Sequence, residues 1–347
     1  MEVLQAARVL GISAISFLAA LALTPGIVKI LYKFHFNKQL RSKESAPIFY
    51  ELHKKKENTP TMGGIVIWAT VLGIAAVLWI LGTLFDGFFG YLNFINRAET
   101  YLPIAAMAMA AGLGLIDDLM GVFRIGANGG GLKISQKLVL YALLAVIGGL
   151  WFYFRLDWTV LYIPFFGNAE IGWWYVPIFI FIIIASAFSA NETDGLDGLL
   201  GGVMMFTFAA LTVVSFILGR YDLATFSGVT VGALLAFLWF NIYPARFFMG
   251  DTGSMALGIT MGVIAMLTNT TLFLPFFAPI LVLESLSVIV QLTSKKLFKR
   301  KIFLSTPIHH HFEALGWPET KVTMRFWIIS AVITVIGLAL FFISTSF

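Results

Sequence analysis

The feature that most constrains this chain is a succession of long apolar runs separated by short polar connections. A run of about 20 apolar residues crosses a bilayer core. Ten runs approach or exceed that length: Leu10–Leu31, Gly63–Leu84, Leu102–Ile116, Leu138–Phe154, Trp174–Phe188, Leu199–Leu218, Ala224–Ile242, Gly253–Leu267, Thr271–Leu292 and Phe326–Phe342. Only 12% of the residues are charged, too few to cover the surface of a water-soluble protein. We therefore predict an all-α, polytopic integral membrane protein of about ten transmembrane helices, forming one domain over residues 1–347.

Three of these runs, the third, fifth and eighth, are shorter than the others, and each adjoins a connection that contains aspartate. A short helix is tolerated where its polar end lines a water-filled cavity within the bundle. The outer connection Asp157–Gly172 alternates weakly between apolar and polar residues, which is consistent with a short hairpin.

The distribution of positive charge sets the expected orientation. Eighteen of the 23 lysines and arginines lie in the odd-numbered connections, whereas the N-terminus and the even-numbered connections hold only Arg8, Arg97, Arg155 and Arg220. Basic connections stay in the cytoplasm, so both termini are predicted to face outward. The basic face either reflects topology and attraction to anionic lipid alone, or also captures a polyanionic substrate.

Three acidic segments lie at the predicted cytoplasmic face: Asp117-Asp118, Asn191–Gly198 and Phe248–Ser254. Adjacent carboxylates repel each other unless a cation lies between them, and oxygen-rich sites suit Mg²⁺. The alternative for a single aspartate before an apolar run is helix capping. The spacing of Asp194 and Asp197 predicts that both lie on one face of a helix.

A triple-histidine cluster lies between the last two apolar runs, in Pro307–Glu313, and we predict a loop there. Three consecutive histidines cannot all face one way, so at most two are expected to reach one ligand. They are suited to donating to phosphate oxygens or to binding a metal, and phosphate is favoured because the aspartates already offer oxygen ligands. Glu284, inside the ninth run, is interpreted as a buried, hydrogen-bonded packing residue.

Several motifs resemble those of the phospho-N-acetylmuramoyl-pentapeptide transferases, within the polyprenyl-phosphate N-acetylhexosamine-1-phosphate transferase superfamily. They follow the family order from Lys56 to the last apolar run. The matching segments are Lys56 with Thr59–Gly64, Asp117-Asp118, Asn191–Leu199, Trp239–Ala245, Phe248–Ser254, Pro307–His311, Gly316–Glu319 and Arg325–Ile329.

The resemblance implies a cytoplasmic active site in a bacterial inner-membrane protein. The implied reaction is Mg²⁺-dependent transfer of phospho-MurNAc-pentapeptide from UDP-MurNAc-pentapeptide to undecaprenyl phosphate, which gives lipid I and UMP in peptidoglycan synthesis. A homodimer surrounded by membrane lipid is also implied, and no nucleic-acid partner is expected.

The resemblance also implies roles for individual residues. Asp251 matches the metal-ligand position, Asp117 is expected as a second ligand, and Asp117, Asp118, Asp251 and His310 form the expected catalytic group. Phe248 is expected to stack on uracil. The expected substrate-binding residues are Lys56, Thr61, Lys137, Asn191, Asp194, Asp197, Asn241, Phe248, Gln291, His309 and His311.

Two positions depart from the family pattern. Gly121 stands where the family has the lysine of Asp-Asp-x-x-Lys, with Arg124 or Lys133 as candidate replacements, and Phe188 stands where an asparagine is usual. Two other functions remain open at this point. One is a sister transferase that uses UDP-GlcNAc or another UDP-sugar, and the other is an ion-coupled transporter.

Overall fold

The structure, a computed structural model, describes residues 1–37, 56, 59–95, 98–126 and 130–346. Within them the chain is almost entirely α-helical, and we number its ten longest helices α1 to α10 in chain order. They are α1 Glu2–Lys33, α2 Ile65–Leu84, α3 Ala98–Val122, α4 Ile134–Leu156, α5 Tyr175–Thr193, α6 Leu199–Ile217, α7 Tyr221–Asn241, α8 Asp251–Leu267, α9 Pro279–Phe298 and α10 Glu319–Ser346. Each of them overlaps one of the ten predicted runs.

The helices form one bundle around α8. Every residue of α8 after Asp251 is buried, and the helix packs mainly against α3 and α5. Helix α1 packs along α7, which in turn packs against α6. Because α8 is enclosed by protein along its length, its 17 residues do not need to match the full thickness of a bilayer.

Eight helices are long and apolar enough to cross a membrane, and a bent pair brings the number to nine among the described residues. The chain is therefore an all-α, multi-pass membrane protein. The total of ten spans and the outward termini remain predictions. Among the basic residues behind the predicted orientation, Lys38, Arg41, Lys43, Lys54, Lys55 and Arg97 lie outside the described residues.

The ninth predicted span is not one continuous helix. Residues Thr271–Phe277 form a 3₁₀ turn and a short helix, which meet Pro279–Phe298 at an angle of 93°. Pro279 is the first residue of α9, where its missing N–H costs no helical hydrogen bond. The break therefore falls where proline would have interrupted a continuous helix.

The third and fifth spans are longer than predicted, covering Glu99–Val122 and Gly172–Thr193. Helix α3 continues past Asp117 and Asp118, so these residues lie within a helix and not in a loop. Polar contacts to neighbouring helices let both helices continue through their polar ends. The eighth span is short, as predicted.

Several short elements lie outside the ten long helices, among them a 3₁₀ turn at Gly172–Trp174 and a helix at Ile308–Ala314. A helix of five residues, Phe88–Leu92, follows α2. The strands Val160–Ile163 and Gly167–Glu170 pair antiparallel, with Val160 opposite Glu170 and Ile163 opposite Gly167. This pairing confirms the hairpin predicted in the connection after α4.

Candidate active site

The polar ends of α3, α4, α5 and α8 meet around the amino group of Lys137. Its Nζ lies 2.6 Å from Oδ2 of Asp117 and 2.5 Å from Oδ2 of Asp251. The amide of Asn191 donates to Oδ1 of Asp251. The backbone N–H of Leu132 donates to Oδ1 of Asp117 at 2.5 Å. One ammonium group therefore bridges two carboxylates from different helices.

Two aspartates from other parts of the chain hold the first turn of α8. The backbone N–H groups of Asp251 and Thr252 donate to the two oxygens of Asp118 at 3.1 and 2.9 Å. The N–H of Gly250 donates to Oδ2 of Asp194 at 3.1 Å. Carboxylates are favourable at a helix N-terminus because they satisfy free N–H groups and oppose the positive end of the helix dipole. Capping therefore occurs here between helices, and it fixes the backbone that carries the Asp251 side chain.

Close packing of α3 on α8 permits this capping. Residue 114 is a glycine one turn before Asp117, and a Cβ on Gly114 would overlap the backbone carbonyl group of Asp251. A larger residue would push α3 away from α8. The carboxylate of Asp118 would then lose the two amide groups of the first turn.

A cavity of about 160 Å³ opens beside Lys137, with Asp117, Asp118, Asp251 and Thr61 in its wall. Thr61 is buried, and its hydroxyl has no hydrogen-bond partner within the part of the chain that the structure describes. A buried hydroxyl is costly unless water or a ligand completes it. The cavity thus offers an ammonium group and a hydroxyl to a ligand oxygen.

A second charged group is centred on Lys56. Its Nζ lies 2.7 Å from Oδ1 of Asp197 and 2.6 Å from Oε1 of Glu319, at the start of α10. The backbone N–H of Asp197 also donates to Oε1 of Glu319, at 2.6 Å. The ammonium lies 5.8 Å from the ring centre of Phe248 and 5.9 Å from that of Tyr243, within range of a cation–π interaction.

The prediction that Asp194 and Asp197 share a helical face is wrong. Helix α5 ends at Thr193, and the two aspartates lie in the turn before α6 with different partners. Asn241 holds the end of this turn, because its Oδ1 accepts the N–H of Gly198 at 3.0 Å. In a helix, this spacing would bring the two carboxylates to one face, whereas the turn directs them to different partners.

The three histidines lie on a short helix, Ile308–Ala314, and not in a loop as predicted. We call it the histidine helix. His309 is fully buried, and its Nδ1 lies 3.1 Å from Oε2 of Glu284 on α9. Burial lowers the pKa of His309, but the contact with Glu284 and the charges of Glu284, Glu313 and Glu192 together outweigh burial and raise that pKa above its ordinary value. Glu284 is fully buried, as its sequence interpretation predicted.

The other two histidines face different partners. Nδ1 of His310 lies 2.7 Å from Oε2 of Glu313, and Nδ1 of His311 accepts the N–H of Leu304 at 3.2 Å. The three side chains thus diverge, as their adjacency predicted. Gln291 bonds the backbone of residues 302 and 303 through both ends of its amide, which fixes the segment before the histidine helix.

The donor set can be compared with what Mg²⁺ requires. Proteins usually hold Mg²⁺ with one or two carboxylates, and water and phosphate oxygens complete six ligands. Asp117 and Asp251 direct one oxygen each toward a common position, where Lys137 now lies. Within the described ranges no three His, Asp or Glu side chains group as a metal site. The residues therefore fit a two-carboxylate site completed by phosphate, and Mg²⁺ itself remains a prediction.

The site also contains residues that the sequence motifs did not predict. Glu319 and Tyr243 both lie close to Lys56. Each belongs to one of the family-like segments, Gly316–Glu319 and Trp239–Ala245. A carboxylate directly after Trp317-Pro318, shortly before the last apolar run, was the available signal for Glu319. The candidates for the missing lysine, Arg124 and Lys133, are exposed, and the cation that contacts Asp117 is Lys137.

Comparison with known proteins agrees with this arrangement. Residues 100–269 match the model of glycosyl transferase family 4, and residues 56–67 match signature 1 of the phospho-N-acetylmuramoyl-pentapeptide-transferases. Together with the fold and the charged cavity, these matches define the chain as a multi-pass membrane transferase.

Similar proteins that carry the name phospho-N-acetylmuramoyl-pentapeptide-transferase come from several bacteria. The chain is 36% identical to one from Geobacillus thermodenitrificans over 94% of its own length and 95% of the relative. It is 37% identical to one from Clostridium novyi, over 93% and 94% of the two chains. It is 38% identical to one from Clostridium perfringens strain 13, over 94% and 96%. The chain belongs to the phospho-N-acetylmuramoyl-pentapeptide-transferase family.

Proposed function

We propose that this transferase moves phospho-MurNAc-pentapeptide from UDP-MurNAc-pentapeptide to undecaprenyl phosphate, forming lipid I and UMP for peptidoglycan synthesis. The observation that carries the proposal is the convergence of Asp117, Lys137 and Asp251 beside a cavity at one end of a membrane bundle. Both substrates are anionic at their reacting phosphates. A site at the end of the helices lets one phosphate arrive from water while the other stays attached to lipid.

The main obstacle to this reaction is repulsion between two phosphate groups. Lys137 lies in the cavity wall and can pair with phosphate oxygens, and the buried hydroxyl of Thr61 can donate to one of them. Hydrogen bonds to developing charge in a partly dry site are worth about 3–4 kcal/mol each by the oxyanion-hole precedent. A bound Mg²⁺ would supply further neutralisation of the pyrophosphate and the departing UMP.

The proposed reaction exchanges one P–O bond for another. A P–O bond to UMP breaks, and a new P–O bond forms to the lipid phosphate. Direct attack by the lipid phosphate and a covalent aspartyl intermediate both fit the residues present. Asp117 borders the cavity and contacts Lys137, so its carboxylate lies beside the proposed phosphate site, as either role requires.

The second charged group is suited to hold the nucleotide end of the donor. The ring of Phe248 is partly exposed next to Lys56, which Asp197 and Glu319 fix in position. An aromatic face beside a fixed ammonium can stack on a base and pair with a phosphate. We assign Phe248 to uracil and Lys56 to the diphosphate.

The test is release of UMP by the purified protein in lipid nanodiscs with undecaprenyl phosphate. We expect Mg²⁺-dependent release from UDP-MurNAc-pentapeptide and little from UDP-GlcNAc under matched conditions. A cooperative thermal melt checks that the protein is folded. Preference for UDP-GlcNAc would instead support the sister transferase, and substrate flux without UMP would support a transporter.

We further propose that the protein acts as a homodimer in the bacterial inner membrane. Its apolar helices and the bacterial origin of its relatives support the membrane part of this proposal. Mass measurement of the protein in nanodiscs tests the oligomeric state. A monomer with full activity would contradict the dimer.

A further inference from the structure

Glu284 lies within the apolar helix α9, and its side chain has no exposed surface. An ionisable group in such a place is costly unless it has a partner. His309 is that partner: its ring Nδ1 lies 3.1 Å from Oε2, and its backbone N–H donates to the same oxygen at 3.4 Å. His309 is also without exposed surface, so a substrate cannot reach its ring in this arrangement.

The other edge of the His309 ring lies against the turn between α5 and α6. A Cβ on Gly195 would overlap Nε2 of His309, so only glycine allows this approach. Gly195 stands between Asp194, which holds the first turn of α8, and Asp197, which holds Lys56. His309 therefore connects α9 to the turn that organises both charged groups.

His310, the expected catalytic residue, follows His309 directly on the histidine helix. The ring of His310 lies 4.1 Å from that of His309, centre to centre, and pairs with Glu313. A shift of the His309 ring would therefore move His310 as well as the turn at Gly195.

We propose that Glu284 is a positioning residue which, through His309, fixes His310 and the turn bearing Asp194 and Asp197. His309 is then a buried anchor and does not contact substrate, although its motif predicted that it would. The kinetic measurements on variants rest on the proposed function. The measurement of the charge on the His309 ring does not.

Three variants separate an anchor from a substrate contact: Glu284→Gln, His309→Gln and the double variant. We expect each single variant to lower kcat roughly tenfold to a hundredfold, the scale of a small misplacement of reacting groups. KM for the UDP-linked substrate should stay close to the parent value. The double variant should regain several-fold in kcat, because two amides can hydrogen-bond where one amide faced an unmatched group.

Direct contact between His309 and the substrate predicts a different pattern. If His309 touched substrate, the double variant would be no more active than His309→Gln, and KM would rise in both. Either of these results would overturn the proposal. A parental kcat in Glu284→Gln would do so too.

The matched control is Asp222→Asn, which breaks the Arg8–Asp222 ion pair at the other end of the bundle. It should lower the melting temperature without changing kcat or the pH profile. If Asp222→Asn lowers kcat as much as Glu284→Gln does, general loss of rigidity explains the effect and the proposal fails.

The pH dependence supplies a readout that structural damage alone would not give. Three carboxylates surround His309, namely Glu284 on α9, Glu313 on the histidine helix and Glu192 on α5. Because the pKa of His309 is raised, the charged pair forms below that value and is lost as pH rises through it. Activity should fall on the alkaline side, and this fall should move to lower pH in Glu284→Gln.

A direct measurement of the charge of His309 needs no substrate. The ¹⁵N ring shifts of labelled histidines, assigned by comparison with His309→Gln, report the charge of His309. We expect a charged ring in the parent protein at neutral pH and a neutral ring in Glu284→Gln. A neutral His309 ring in the parent would overturn the proposal whatever the activities of the variants.

Discussion

The two ends of the helical bundle both contain partly buried ion pairs, but among the described residues these pairs are arranged differently. At one end Arg8 pairs with Asp222 at 2.6 Å and also donates to Gln5. At the other end a single lysine, Lys137, contacts two carboxylates, with Asp118 in the same cavity wall. Two carboxylates that converge on one position from different helices suit Mg²⁺, which proteins usually hold with one or two carboxylates. The Lys137 end therefore offers a divalent cation two carboxylates at one position, whereas the Arg8–Asp222 pair offers one.

Cavity size does not distinguish the two ends. The cavity lined by Arg8 and Asp222 measures about 240 Å³, compared with about 160 Å³ beside Lys137. In the larger cavity two arginines, Arg8 and Arg220, face two carboxylates, Asp222 and Glu99. The difference that matters among the described residues is that two carboxylates share the ammonium of Lys137, whereas Arg8 and Arg220 each face one carboxylate. Four substitutions test it.

The largest effect is expected for Asp251→Asn. The change removes the charge of one of the two carboxylates that face Lys137 but keeps the shape of the side chain and the backbone capping by Asp118. UMP release should fall roughly a thousandfold, the upper range for loss of one electrostatic group in an active site. Thermal melting should change little. A rate close to that of the parent would remove Asp251 from the metal and catalytic roles.

The next effect is expected for Lys137→Gln, where UMP release should fall roughly a hundredfold. The Mg²⁺ concentration for half-maximal activity should also decrease, because the ammonium no longer competes for oxygens of Asp117 and Asp251. Lys133→Gln is the matched control, since Lys133 is exposed on the same segment. An unchanged or higher Mg²⁺ requirement in Lys137→Gln would contradict competition for one position.

Much of this arrangement could be predicted from the sequence, and the remainder depends on contacts that sequence does not reveal. Apolar runs predicted the helices because lipid requires them, and Pro279 marked the break that we did not predict. The capping of α8 by Asp118 joins residues 133 positions apart, so it requires knowledge that α3 and α8 touch. Likewise, a run of three histidines does not indicate which ring points inward. The structure turns His309 toward Glu284.

A smaller effect is expected for Glu319→Gln at the second charged group. The amide can still accept from Lys56, but a neutral acceptor replaces a charged one. KM for the UDP-linked substrate should rise roughly three- to tenfold, with kcat nearly unchanged. Steady-state kinetics with varied nucleotide measures this. A change confined to kcat would show that Glu319 acts on the reacting groups and not on nucleotide binding.

The smallest effect on activity is expected for Asp222→Asn, at the Arg8 end. The substitution replaces the carboxylate that accepts from Arg8 with a neutral amide, so it should destabilise the fold by about 2 kcal/mol. Thermal melting should therefore shift downward, while the rate of UMP release and its Mg²⁺ dependence stay at the parent values. If this variant altered the Mg²⁺ requirement, the ion pairs at the two ends would be coupled through the bundle. The sharing of Lys137 by two carboxylates would then not act as a local property of the active-site end.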